Sequence, residues 1–258
     1  MALDLTGETV FITGASSGIG AACAEGFAEA GCRLVLAARR LERLDSMAAK
    51  LRNGFGTEVL TAALDVRDRE AVDAFVEGLD PEWSAIDVLV NNAGLARGLA
   101  PLHDGDVNDW EEMIDTNVKG LLWVTRAVLR GMVARGTGHV INIGSIAGHE
   151  TYPGGNVYCA SKHAVTALGR ALAIDVLGTG VRASSVDPGL VDTEFAVVRF
   201  HGDQERADAV YDGLEPLHGR DVADAVLFCA TRPLNANVRE MILMPSAQAA
   251  AVHVHREG

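Results

Sequence analysis

The sequence has few cysteines, and they stand in a pattern that excludes the usual metal sites. Cys23, Cys32, Cys159 and Cys229 show no C-x-x-C or C-x-x-H spacing, so we expect no metal site. Buried thiols are the simplest interpretation of the first two and of Cys229. Cys159 adjoins Tyr158 and is therefore a candidate to face a functional site.

Basic residues and long apolar runs are also scarce. The chain has 22 Lys and Arg against 35 Asp and Glu, a net charge of -13, which argues against nonspecific binding to nucleic acid or anionic membranes. No run approaches the roughly 18–20 apolar residues that a membrane helix needs. The first residues also lack the basic segment of a signal peptide. These absences predict a cytoplasmic protein in which an anionic cofactor needs a local basic site.

Short apolar, β-branched runs alternate with amphipathic segments along the chain. Parallel strands buried on both faces give such continuous apolar runs. The pattern predicts an α/β fold of the Rossmann type, a doubly wound seven-stranded parallel sheet in three α/β/α layers. The predicted strands are 9–13, 33–37, 58–64, 86–90, 139–144, 181–186 and 240–244, and the predicted helices are 19–30, 41–53, 69–78, 107–135, 156–177 and 220–231.

No linker, repeat or low-complexity segment divides the sequence, so a single oxidoreductase domain is expected over 1–258. One stretch, 188–217, has mixed charges and no clear strand. Such an insert after the carboxyl end of a strand is where doubly wound sheets carry substrate lids. We therefore predict that 188–217 is a lid.

A glycine-rich turn follows the first predicted strand and leads into a helix. Its glycines permit a tight turn and close backbone approach to a pyrophosphate, and the helix N-terminus adds free N–H groups. The alternative is a turn that needs glycine for packing only. The predicted dinucleotide contacts in this turn are Gly14, Ser16, Ser17, Gly18, Ile19 and Gly20.

The residues after the second strand indicate which dinucleotide is bound. Sites that prefer NAD usually place an acid there for the ribose 2′-hydroxyl, but this chain has Arg39 and Arg40. Both can hold a 2′-phosphate through charge-assisted hydrogen bonds, and Arg39 is favoured. The alternative is that both arginines are solvated at the start of the next helix. NADP(H) is therefore the predicted cofactor.

Two further strand ends carry candidate cofactor contacts. Asp65 and Val66 follow the third strand, where they can contact an adenine ring, although a helix cap or turn is a nearly equal interpretation of the aspartate. The segment after the fourth strand is made of amide and small residues, which let backbone approach a cofactor and brace neighbouring strands. It consists of Asn91, Asn92, Ala93 and Gly94.

A catalytic group is predicted from three residues. Ser145 ends the fifth strand, and Tyr158 and Lys162 lie four residues apart, hence on one face of a predicted helix. A lysine ammonium near a phenol favours the phenolate and lowers its pKa. The tyrosine can then exchange a proton with a carbonyl or alcohol oxygen that the serine holds in place. A lone Tyr-x-x-x-Lys pair is common by chance, so the prediction depends on the combination.

Taken together, these motifs resemble the short-chain dehydrogenase/reductase superfamily over almost the whole chain. The resemblance implies that Asn117 completes a catalytic tetrad by holding a water connected to the lysine. It implies nicotinamide contacts from the turn after the sixth strand, made by Pro188, Gly189, Val191 and Thr193. It also implies an oligomer, a tetramer or a dimer, packed through the long helices, and a homotetramer is expected here.

Further stretches resemble a narrower group, the NADP-dependent 3-hydroxy acid dehydrogenases. Among them are the segments 113–120, 154–158 and 193–203. That group oxidises serine, allo-threonine and 3-hydroxypropanoate-type acids, which is the function expected here. Sulfoacetaldehyde reductase and broad-range carbonyl reductase are the alternatives. The lid is one residue shorter than in many bacterial members, and His149 and Glu150 also depart from them. These departures concern the substrate and not the chemistry.

A small anionic substrate needs a cation or converging donors. Arg199 in the lid is the candidate cation, and Tyr152 and Asn156 are candidate donors beside Ser145 and Tyr158. The alternative for Arg199 is a salt bridge to an acid of the lid, Glu194 or Asp203.

The C-terminal segment 249–258 is apolar and then basic. In the resembling group such tails reach a neighbouring subunit. The alternative is a frayed terminus.

Overall fold

Seven parallel strands form one sheet in the structure, a computed structural model that describes residues 2–257. Met1 and Gly258, the ends of the predicted domain, lie outside the described residues. The order β3-β2-β1-β4-β5-β6-β9 confirms the predicted Rossmann-type sheet. These strands are β1 Thr9–Thr13, β2 Arg33–Ala38, β3 Val59–Ala63, β4 Val88–Asn91, β5 Gly138–Ile143, β6 Val181–Pro188 and β9 Glu240–Leu243. The order reverses between β1 and β4, which opens a crevice at their carboxyl ends.

Helices cover both faces of the sheet close to the predicted positions. They are α1 Gly18–Glu29, α2 Leu41–Phe55, α3 Arg69–Glu77, α4 Pro81–Ser84, α5 Val107–Ile114, α6 Leu121–Arg135, α7 Asn156–Asp175, α8 Phe195–Arg199, α9 Gln204–Asp208 and α10 Gly219–Ala230. The predicted long helix 107–135 is interrupted by a π-helical stretch, Asp115–Gly120, between α5 and α6. No helix of the described residues is long and apolar enough to cross a membrane.

The core lies on both sides of the sheet because side chains alternate along each strand. In β1, Val10 and Ile12 pack beneath α1, α2 and α10, whereas Phe11 packs on the opposite side beneath α3 and α6. In β2, Leu34 and Val35 divide in the same way. Strands buried on both faces explain why the sequence shows continuous apolar runs rather than alternation.

The predicted lid, segment 188–217, is more regular than the sequence indicates. Its prediction as a stretch without strands is wrong, because β7 Val191–Asp192 and β8 Leu217–His218 pair in parallel at its two ends. Between them lie α8 and α9, each only five residues long. The paired ends hold the lid as a closed loop above the carboxyl edge of the sheet.

Candidate active site

A cleft of about 760 Å³ opens at the carboxyl ends of the central strands. It runs from the turn after β1 and the end of β2, past the ends of β4 and β5, to the lid. Most predicted site residues line it, and the exceptions are Gly20, Asn91, Asn117 and Asn156. The topology thus brings together residues that are far apart in the sequence.

The glycine turn closes tightly against the segment after β4. Gly14 has φ +64°, and a Cβ atom there would lie 2.8 Å from the Cα of Ala93, so no side chain fits. The Asn92 amide donates to the carbonyls of Thr13 and Gly14 at 2.9 and 3.1 Å. These contacts fix one side of the turn against the segment after β4 and leave its other side facing the cleft, as a pyrophosphate site needs.

Asn91 supports the same segment from the side that faces away from the cleft. Its side chain is buried and donates to Thr125 Oγ1 at 2.8 Å and Asn142 Oδ1 at 3.0 Å. We therefore replace the predicted cofactor contact of Asn91 with a bracing role between β4, β5 and α6. Gly20, which also does not line the cleft, lies within α1 behind the turn.

The two arginines after β2 occupy different positions at one end of the cleft. Arg40 is fully engaged: it donates to Ser16 and Ser17 hydroxyls, with the shortest bond 2.8 Å to Ser17, and forms an ion pair with Glu194 at 2.9 Å. Arg39 is half exposed, and its nearest anion, Glu112, is 3.6 Å away. Arg39 is therefore the more available cation for a phosphate.

Asp65 is held by its neighbour rather than free to cap an adenine. Its carboxylate accepts from the Arg67 backbone at 3.0 Å and from the Arg67 guanidinium at 2.6 Å. The Arg67 hydrogen bonds lower the pKa of this carboxyl. This geometry favours the turn interpretation of Asp65, although the residue still lines the cleft beside Val66.

Tyr158 lies on α7 with only 7% of its surface exposed. Its ring packs edge-on against Phe195 of the lid, with the centroids 5.6 Å apart. Burial raises the pKa of the phenol well above its usual value, while a hydrogen bond with Ser145 and the charge of Arg199 lower it. The sequence analysis named the Lys162 charge as the cause of a lowered pKa, whereas in the structure burial is the largest effect and raises the pKa.

Lys162 lies one turn further along α7, and its ammonium donates to the carbonyl of Ile143 at 2.9 Å. Burial lowers the pKa of Lys162 to about 8, and the negative charge of Asp187 opposes that shift. The lysine therefore changes charge close to physiological pH. Its bond to the end of β5 fixes α7 relative to Ser145.

Asn117 lies in the π-helical stretch, which turns its side chain inward. Its oxygen accepts from the Leu95 N–H at 2.8 Å, and its amide donates to Leu95 O at 2.8 Å and to Ser161 Oγ at 3.0 Å. Within the described residues it makes no direct hydrogen bond to Lys162. The side chain braces the loop after β4 against α7, so the tetrad role remains a prediction that depends on a water.

Arg199, at the end of α8, reaches over the ring of Tyr158. Its guanidinium carbon lies 5.3 Å from the Tyr158 ring centroid. Nη2 donates to Tyr152 Oη at 2.5 Å and Nε to Gly98 O at 3.2 Å. The salt bridges that the sequence left open do not form: Glu194 pairs with Arg40 and Arg43, and Asp203 caps α9.

Asn156 is not placed as predicted. Its amide donates to Ala100 O at 2.9 Å, and its oxygen accepts from the Val157 N–H at 2.8 Å. These bonds tie the start of α7 to the preceding loop and turn Asn156 away from the cleft. Tyr152, the other predicted donor, does line the cleft.

Sequence reasoning missed Thr116, which lines the cleft directly before Asn117. Its hydroxyl is buried and has no hydrogen-bond partner among the described residues. An unpaired buried hydroxyl costs free energy unless a ligand satisfies it. Because Thr116 stands among other polar residues, Asp115 and Asn117, no signal in the sequence singled it out.

The C-terminal tail packs on the lid of its own chain. Arg256 donates to the carbonyls of Val210 and Asp212, and the Glu257 N–H donates to Gly213 O at 2.8 Å. The Ala251 N–H donates to the Glu150 carboxylate at 2.7 Å. The tail is thus an ordered strap over the lid rather than a frayed end.

The predicted burial of Cys23, Cys32 and Cys229 is confirmed. Cys159 is buried as well, and it does not line the cleft that the sequence made it a candidate to face. Among residues 2–257, no group of three or more His, Cys, Asp or Glu side chains is arranged to hold a metal ion.

Comparison with known proteins matches this geometry to a family. The family model described as short chain dehydrogenase matches residues 8–204. An NADP-dependent 3-hydroxy acid dehydrogenase of Salmonella typhi is 48% identical over 249 residues, 96% of this chain and 99% of the relative. A protein of the same name from Schizosaccharomyces pombe is 44% identical, covering 98% of both chains.

Solved structures give the same result. The closed form of a serine dehydrogenase complexed with NADP+ superposes with a TM-score of 0.90 at 45% identity, covering 96% of this chain and all of that one. A metagenomic short-chain oxidoreductase in complex with NADP has a TM-score of 0.80 at 31% identity, covering 95% of this chain and 100% of that one.

Proposed function

Because the chain belongs to the short-chain dehydrogenase family, we propose that it interconverts a small 3-hydroxy acid and its carbonyl form. Family and relatives establish the reaction class: the chain is an NADP-dependent oxidoreductase that acts on CH–OH groups. The proposal adds the substrate, a short acid of the serine, allo-threonine or 3-hydroxypropanoate type.

The observation that carries the substrate proposal is Arg199. It is a lid cation beside Tyr158, and the described residues provide no carboxylate partner for it. Its Nη1 makes no hydrogen bond to a described residue. A part-buried guanidinium with free donors matches the carboxylate of a substrate whose reacting carbon lies near the phenol.

The cofactor residues fit an NADP molecule. Gly14 leaves no room for a side chain, the α1 N-terminus faces the cleft, and Arg39 is half exposed at one end with only a 3.6 Å ion pair to Glu112. We propose that Arg39 holds the 2′-phosphate and that Arg40 organises Ser16 and Ser17 beside it. When bound, NADP(H) accepts or supplies the hydride.

The remaining chemistry belongs to the side chains at the other end of the cleft. In reduction, the Tyr158 phenol donates its proton to the substrate carbonyl oxygen, and in oxidation the phenolate accepts it. The Ser145 hydroxyl holds the same oxygen. Lys162 supplies positive charge that favours the phenolate. Arg199 orients the acid so that its hydroxyl carbon faces the hydride.

The substrate proposal is tested by Arg199→Met, which keeps the length and apolar contacts of the side chain but removes its charge. We expect kcat/KM for 3-hydroxypropanoate to fall about 10- to 100-fold, mainly through KM, because a hydrogen bond to a charged group contributes about 1.5–3 kcal/mol. Turnover of the neutral 1-propanol should change little.

The matched control is Arg206→Met, because Arg206 is a lid arginine that stacks on Phe200 and does not line the cleft. It should leave both substrates unchanged. An equal loss for acid and neutral alcohol in Arg199→Met would contradict the proposal and indicate a role in lid structure. Preferential turnover of sulfoacetaldehyde by the wild type would favour the sulfonate alternative.

We also propose that the chain is a homotetramer and that one of its interfaces is built on α6 and α7. These helices form an apolar groove of about 620 Å³. Arg126 and Arg130 line it together with Asp175, so a twofold axis can bring basic and acidic groups together.

Light scattering should give four times the 27.2 kDa chain mass, and Leu129→Glu in the groove should lower the measured mass. A wild-type monomer would contradict this proposal.

A further inference from the structure

The carboxylate of Asp187 is fully buried and lies behind the end of β5, the strand that Ser145 follows. Asp187, in β6, has no exposed surface. One of its oxygens accepts from the Ser185 hydroxyl at 2.5 Å, and the other lies 2.8 Å from Nε2 of His149. Because an ionised carboxylate only accepts hydrogen bonds, the imidazole donates from Nε2. His149 is 17% exposed at its side chain, so it connects the buried acid to solvent.

This carboxylate touches the backbone segment that holds the catalytic groups. A Cβ atom at Gly144 would lie 1.8 Å from Asp187 Oδ1, so only glycine fits beside the acid. Gly144 stands between Ile143, whose carbonyl binds the Lys162 ammonium, and Ser145. The charge of Asp187 stabilises the protonated form of Lys162.

We propose that His149 and Asp187 form a positioning pair that fixes the charge around Lys162 and Tyr158 and thereby the pH range of proton transfer. The inference rests on the proposed proton chemistry of Tyr158. Neither residue of the pair touches substrate. The pair acts through Lys162 and the backbone of β5.

Other charged groups lie near His149 and Asp187, but they form ion pairs with one another. Arg170 of α7 binds Glu240 of β9 at 2.6 Å, and Arg239 lies 3.9 Å from the same carboxylate. The charge of Asp187 raises the pKa of Arg170, and His149 lowers the pKa of Glu240. The charges of Arg170 and Glu240 largely cancel. The charge beside the buried acid is therefore set by His149, which contacts it directly.

The sign of the effect follows from charge. With a neutral imidazole the pair carries one negative charge, which raises the pKa of Lys162, because a nearby anion favours its protonated form. The Nε2–H bond partly offsets that charge. Removing the carboxylate charge should therefore lower the pKa of Lys162, whereas removing the hydrogen bond alone should raise it.

The test is the pH dependence of kcat for alcohol oxidation in Asp187→Asn, His149→Leu and His149→Gln. In the nearly isosteric Asp187→Asn, the midpoint should fall by ~1 pH unit. In His149→Leu, which leaves the carboxylate charged but without its donor, the midpoint should rise. In His149→Gln, whose amide can donate to Asp187, it should return to the wild-type value.

His103→Gln is the matched control, because His103 also faces an acid, Asp104, at 3.3 Å but is 80% exposed. It should leave the midpoint unmoved. Loss of kcat at all pH values with an unmoved midpoint in Asp187→Asn and His149→Leu would overturn the inference and indicate a purely structural pair. If Asp187→Asn does not fold, an unmoved midpoint in His149→Leu overturns it alone. Failure of the proton chemistry itself would appear separately, as undiminished activity of Tyr158→Phe.

Discussion

Tyr158→Phe should lower kcat about 10²- to 10⁴-fold, the usual contribution of a positioned acid–base group. The substitution keeps the ring that packs on Phe195 and removes only the hydroxyl that exchanges a proton with substrate. The Ser145 hydroxyl and the Arg199 charge would remain in place, so KM for an acid substrate should change far less than kcat. Steady-state oxidation of 3-hydroxypropanoate with NADP+ measures both constants.

Tyr211→Phe is the control for loss of a tyrosine hydroxyl. Tyr211 is part-buried, and its hydroxyl donates to the carbonyl of Val191 at 2.8 Å, so it stabilises the lid without reaching the reacting oxygen. Its loss of kcat should be much smaller. If Tyr158→Phe kept more than about a tenth of the wild-type kcat, Tyr158 would not be the main proton carrier.

Arg39→Asp should reverse the preference for the phosphorylated cofactor. We expect kcat/KM for NADPH to fall about 100-fold, because one charge-assisted hydrogen bond is lost and a carboxylate is placed beside the 2′-phosphate. The value for NADH should stay the same or rise, since aspartate at this position can accept from a ribose 2′-hydroxyl. Dissociation constants for NADPH and NADH, measured by fluorescence, separate binding from turnover.

Arg43→Asp is the comparison for charge alone. Arg43 lies on the same helix start and binds Glu194 at 2.6 Å, but it does not line the cleft. Reversing its charge should weaken NADPH binding much less than Arg39→Asp. If both variants lost NADPH affinity equally, a general positive field rather than a specific phosphate contact would explain cofactor preference.

The sheet was predictable because each buried strand is a local apolar run, and the glycine turn and Tyr158–Lys162 spacing are local too. The lid was not: α8 and α9 are each five residues long, too short to stand without tertiary packing. Their positions depend on distant contacts, such as the bond of Arg97 to Val198 O at 2.5 Å. The pattern of apolar residues along the sequence gives no information about such contacts.

At the site, the sequence could not predict which side chains form hydrogen bonds with which partners. Asn156 has the right residue type and the right position for a substrate donor, but the carbonyl of Ala100 takes its amide. Conversely, His149 and Asp187 are 38 positions apart, and nothing local connects them. Composition shows which groups are present, whereas only the fold decides which donors remain free for a ligand.

Arg199 shows where the structure changes a functional inference most. The sequence left it between a substrate contact and a salt bridge within the lid. In the structure the candidate acids have other partners, so the guanidinium stands beside Tyr158 without an anion. A guanidinium without an anionic partner at the Tyr158 end of the cleft is the feature on which the proposed acid substrate depends.

The most direct test is the wild-type ratio of kcat/KM for 3-hydroxypropanoate to that for 1-propanol, measured by the absorbance of NADPH at saturating NADP+. The two substrates share a three-carbon chain and a terminal hydroxyl and differ in the carboxylate that Arg199 should bind. A preference of at least about tenfold for the acid is expected from one charged hydrogen bond. Equal turnover of both, or a preference for the neutral alcohol, would contradict the proposed function.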